Sequence, residues 1–200
     1  MKTLSWTKTE VAAAFKACTT LKDVISSLEL TASTNGDVIC EVRVNGIVLS
    51  EDDETEFAMS SLDAIETLTV QTHKPLELMR DALKSAAELL PQLETAALTT
   101  AELLRAGDVA RSAREFEGMI GGCQWLVDTL MHVRGASMGM GQTLVEPQAW
   151  STSEQLIGRV VIDVTAAYEK SDSILVADLL EYEMTAALAS WKSTIAAELD

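Results

Sequence analysis

Chemistry in this chain would have to come from a few places where reactive residue types crowd together. The densest is "ADLLEYEM" at 177–184, where Asp178, Glu181, Tyr182 and Glu183 fall within six residues. Asp178 and Glu181 are one helical turn apart, so their carboxylates are neighbours on a helix face. Carboxylate pairs serve general acid–base catalysis when a pocket or partner drives their pKa values apart. No matching acid, base or nucleophile stands out elsewhere in the sequence. The spacing therefore reads as a solvated polar strip on a helix, or as a contact for a basic partner.

Two other stretches invite chemistry and fail on residue type. "ASMGMGQT" at 136–143 has the glycine spacing of a phosphate-binding loop, but Gln142 stands where the lysine must be. An amide cannot supply the charge that meets the β and γ phosphates. The acidic run "EDDETE" at 51–56 lacks the central Gly and the terminal bidentate Glu of a calcium loop, and reads as a solvated turn or acidic helix start. His73 and His132 are the two histidines, preceded three residues earlier by Val70 and Thr129. That excludes the paired Glu-x-x-His ligands of a di-metal bundle. No catalytic residue, metal ligand or cofactor motif is assigned.

The elements that would position these residues follow from hydrophobic period. Thr7 and Glu10 form a capping box, and Val11, Phe15, Cys18, Leu21, Val24, Ile25 and Leu28 predict one helix after it. The residues "TLSW" allow a short strand before it. The period then changes to two, with Val38, Cys40, Val42 and Val44 on one face, and Asn45-Gly46 predicts a hairpin turn. "IETLTVQT" at 65–72 adds a strand with Leu68 and Val70 on one side. The expectation for residues 1–73 is an α+β module, a β-grasp-like helix on a small sheet.

From Pro75 the period is helical, and residues 75–200 predict an all-α four-helix bundle. The first helix covers 76–105, with a kink or break expected at Pro91. Asp108 caps a second helix over 109–133, which carries Gly118, Gly121 and Gly122. Each costs roughly 1 kcal/mol against Ala, so close approach of a neighbouring helix, or of Trp125 or Trp191, is the expected compensation. Residues 135–150 form the long irregular stretch. Ser151 and Glu154 cap a third helix to about 171. The last helix shows two apolar stripes on nearly opposite sides, which predicts burial at the bundle centre or at a subunit contact.

Formal net charge is −16, from 31 acidic and 15 basic residues, spread over both halves. Such a surface disfavours nucleic acid and anionic membranes and suits a basic protein or peptide. The start lacks a signal-peptide core, no stretch reaches membrane-span length, and Cys18, Cys40 and Cys123 read as small buried residues. The expected setting is cytoplasmic. The oligomeric state stays open.

"ADLLEYEMTAALASW", "GGCQWLVDTL" and "VRVNGIVLSEDDE" resemble segments of uncharacterised bacterial proteins. These proteins pair a small β-containing N-terminal module with a helical domain of unknown function. The resemblance implies no catalytic residues. Acidic bundles of this size include export chaperones, an analogy of fold alone. The functional expectation is a non-catalytic protein–protein interaction protein, an adaptor or chaperone-like scaffold. The rival is a small-molecule binder or enzyme with a pocket between the two modules. Met138, Met140 and Trp150 in the 135–150 loop, with Asp178 and Glu181, are the candidate partner-binding residues. The loop apolar side chains either await a partner or pack back as a lid.

Overall fold

The computed structural model describes residues 1–50, 60–140 and 147–200. The chain forms two compact units, Met1–Leu78 and Met79–Asp200. The acidic run at 51–56 lies outside the described residues.

In the first unit, strand β1 (Lys2–Thr7) leads into helix α1 (Lys8–Ala14). The Thr7 N–H donates to the Glu10 carboxylate at 2.8 Å, satisfying an amide at the helix start. The single helix expected here is two, because α2 (Leu21–Thr34) begins at a second capping box. The Asp23 carboxylate accepts from the Thr19 and Thr20 amides, both at 2.9 Å, and from the Thr19 hydroxyl. The chain has to leave the helix at 15–20 for those amides to be free. Strands β2 (Val38–Val44), β3 (Ile47–Val48) and β4 (Thr67–His73) complete a sheet ordered β1-β4-β2-β3. Every pair is antiparallel. Asn45 (φ 53°) and Gly46 (φ 83°) make the expected hairpin turn.

One register detail corrects the expected strand face. Ile39 pairs with Thr72 and Glu41 with Gln71, so Cys40 is an extra, bulged residue. The bulge shifts the alternation, putting Ile39 with Val42 and Val44 against the core and leaving Cys40 exposed. Cys18 is half-buried, so only Cys123 is fully buried as expected. Val11, Leu21, Val24 and Leu28 from the helices pack on Val42, Leu68 and Val70 from the sheet.

The two amides and the Thr19 and Thr20 hydroxyls hold the Asp23 carboxyl down to about 2, from an ordinary 3.8. A depressed folded-state pKa contributes stability above pH 3.8, and that contribution disappears as pH falls toward 2. Asp23→Asn should therefore be less stable than wild type at neutral pH. The gap should close between pH 4 and 2 in an acid-unfolding series. A gap independent of pH would refute the carboxylate's role.

From Met79 the second unit holds four long helical segments, which belong to α3 (Pro75–Ala106), α4 (Val109–Gly139), α5 (Pro147–Glu169) and a last one. That last segment comprises α6 (Ser173–Asp178), a π-helical turn (Leu179–Met184) and α7 (Thr185–Leu199). All four contribute to one core that includes Leu90, Leu126, Leu130, Val164, Leu180 and Ile195. Helix α3 runs through Pro91 without a break. Pro91 is exposed between buried Leu90 and Leu93, whose packing offsets its cost of roughly 3 kcal/mol.

Two further expectations are corrected. The predicted loop at 135–150 is helical at both ends, since α4 continues to Gly139 and α5 starts at Pro147, and its middle, 141–146, lies outside the described residues. Pro147 opens α5 because a first-turn residue needs no N–H donor. The last segment is buried on one side, not two. Leu180, Met184, Leu188, Trp191 and Ile195 are buried, whereas Leu175, Tyr182, Ala186 and Ala189 are exposed.

Among the described residues no helix is long and apolar enough to cross a membrane.

Candidate functional site

Of the candidate site residues, Asp178 and Glu181 share one cation. Asp178 and Glu181 are held by Arg105, from the last turn of α3: its Nη2 is 2.9 Å from Asp178 Oδ1 and also pairs with Glu181. The pairing, with Asp178 first and Glu181 second, raises the guanidinium above its ordinary pKa. The strip stays solvent-exposed, at Asp178 above all, and a cation from the same chain is paired to it. Glu181 and Tyr182 lie in the π-helical turn, where the Thr185 hydroxyl donates to the Glu181 carbonyl. Tyr182 is exposed.

Met138 is 71% exposed in the last turn of α4, and Met140 caps that helix. Trp150 is the opposite case: of the two readings, available for a partner or packed back onto the bundle, it takes the second. It is fully buried in α5, edge-to-face with Trp191 at 5.2 Å between ring centroids. Its Nε1–H donates to Glu154 Oε1 at 3.2 Å, and Glu154 is ion-paired with Arg134 of α4. Glu154 thus serves Trp150 and Arg134 rather than a helix cap.

Sequence reasoning missed the most site-like feature of this unit. A cleft of about 550 Å³ opens between α4 and α5. Ile120, Val127 and Met131 line it from one helix, Ile157 and Val161 from the other, with Trp191 of α7 also in its wall. Arg134, Glu154, Gln124 and Asp128 are its polar members. No sequence pattern announces it, because its walls come from three helices that meet only in the fold.

Two observations characterise the cleft chemically. Cys123, in its lining, is pushed up to about 11 by burial, so its thiol stays protonated and is a poor nucleophile. Trp191 is buried, yet its Nε1–H has no acceptor among the described residues. A buried donor left unpaired costs about 1–3 kcal/mol, and the neighbouring indole of Trp150 avoids that cost through Glu154. His132 is engaged within α4, its Nδ1 2.7 Å from the Asp128 carbonyl. Among the described residues no group of three His, Cys, Asp or Glu side chains could hold a metal ion.

A protein-family model described as "Domain of unknown function (DUF8042)" matches residues 81–194, more than half of the chain. The chain belongs to this family. The DUF8042 match runs from α3 into α7 and contains every residue of the cleft. It agrees with the resemblance to an uncharacterised helical domain. No curated protein and no solved structure matches the chain.

Proposed function

We propose that the protein acts by non-catalytic binding of a protein or peptide partner, as an adaptor or chaperone-like scaffold. The observation that carries this reading is an apolar edge on α4. Met131 and Met138 are seven residues apart, hence on one face, and are 60% and 71% exposed. Unbranched thioether side chains adapt to varied apolar surfaces. With a net charge of −16, the protein favours partners that carry basic residues around an apolar patch. Met138 replaces Trp150 as its anchor.

The test is quantitative capture of partners from the native host by wild type and by Met138→Glu, with Ile174→Glu as a control of equal charge at another exposed apolar site. One protein retained by wild type and by the control but lost from Met138→Glu is the expected result. Equal retention by all three would remove the α4 edge from the reading.

A further inference from the structure

We propose that the α4–α5 cleft binds a lipophilic amine in its ammonium form, with the apolar body along the cleft and the cationic head at Asp128. The site goes beyond the Met138 edge described above and stands whether or not a protein docks there.

Size and lining come first. The cleft's volume of about 550 Å³ falls inside the range of roughly 300–1,000 Å³ typical of small-molecule pockets. Its α4 wall runs from Ile120 to Arg134, roughly 21 Å of helix, so the space is a furrow suited to a chain-like body. Ile120, Val127, Ile157 and Val161 make its walls aliphatic. An apolar chain gains by leaving water for such walls.

Charge fixes the head group. Arg134, Glu154 and Asp128 are the ionised residues of the lining. Arg134 and Glu154 neutralise each other, and Glu154 also accepts from Trp150. Among the described residues the Asp128 carboxylate has neither an ion-pair nor a hydrogen-bond partner, and His132 bonds to its main-chain carbonyl instead. The cleft therefore carries one uncompensated negative charge, in a protein of net charge −16, and attracts a cation. An anionic head would have to draw Arg134 away from Glu154 and would sit beside Asp128.

Exposure makes the contact reachable. Asp128 is an exposed residue of the cleft lining, so an ammonium can meet its carboxylate at the mouth while keeping part of its hydration. The chain then lies against the aliphatic walls, as the stem of a lysine does along an apolar surface. Asp128→Asn removes the charge without touching the core. Asp163 is an exposed residue of α5 outside the cleft, so Asp163→Asn is a control of equal charge change.

The experiment titrates the full chain with decylamine, 1-decanol and decanoate, which share one chain length and differ in head charge. Calorimetry reads affinity, and methyl NMR of protein labelled at Ile and Val locates the bound chain. Wild type should bind decylamine at one saturable site, roughly two- to fivefold more tightly than the alcohol, as expected of one exposed ion pair, with decanoate weakest. Contacts from the chain should fall on the Ile120, Val127 and Val161 methyls. Asp128→Asn should remove most of the amine's advantage, and Asp163→Asn should keep it. Absence of saturable decylamine binding to wild type, or decanoate binding at least as tightly as the amine, would overturn the proposal. So would chain contacts away from these methyls, or an amine advantage that Asp128→Asn lowers no more than Asp163→Asn does.

Discussion

Trp150→Ala is expected to lower the unfolding free energy of the helical unit by about 3–5 kcal/mol, the cost of emptying a fully buried aromatic site. Trp150 has no exposed surface, packs edge-to-face on Trp191, and spends its N–H on Glu154. Removing it deletes apolar burial, opens a cavity beside Trp191 and leaves Glu154 with Arg134 alone. The control is Trp125→Ala on α4. Trp125 is 45% exposed, so its loss should cost about 1 kcal/mol or less. Urea unfolding followed by helical circular dichroism measures both. Similar midpoint shifts for the two variants would show that Trp150 is not the core anchor described here.

Trp150 also shows why the sequence left this region unread. "SMGMGQTLVEPQAW" has glycines, methionines and no period, so the tryptophan looked like part of an irregular segment. The informative signal was Pro147, which suits a first helical turn and so starts the helix, with Trp150 in it, before Ser151 and Glu154 could cap anything. Similarly, Thr20 and Asp23 carry a start signal as clear as that of Thr7 and Glu10, but the apolar stripe continuing through Leu21 concealed it. Other features depend on partners distant in sequence. The Cys40 bulge is set by what β4 offers opposite it, and Arg105 meets Asp178 across 73 positions. By contrast, the Asn45-Gly46 turn and the inward face of β4 were legible, because each follows from local backbone or alternation rules.

Gly118, Gly121 and Gly122 of α4 separate in the structure and give the second large effect. Only Gly122 is a close approach: a Cβ there would stand 2.6 Å from Leu93 Cδ2 of α3, while Gly118 and Gly121 face open space. Leu93 is 3% exposed and confined by the core, so it cannot swing aside freely. Gly122→Ala should therefore cost about 1–3 kcal/mol through overpacking, despite its gain in helix propensity. Gly118→Ala and Gly121→Ala should each stabilise by up to roughly 1 kcal/mol, since nothing opposes that gain. The compensation expected from sequence for all three thus applies to one. A double-mutant cycle isolates the cause: in a Leu93→Ala background, the methyl at 122 has room, and Gly122→Ala should become neutral or stabilising. If it remains equally destabilising there, contact with Leu93 is not what holds this position at glycine.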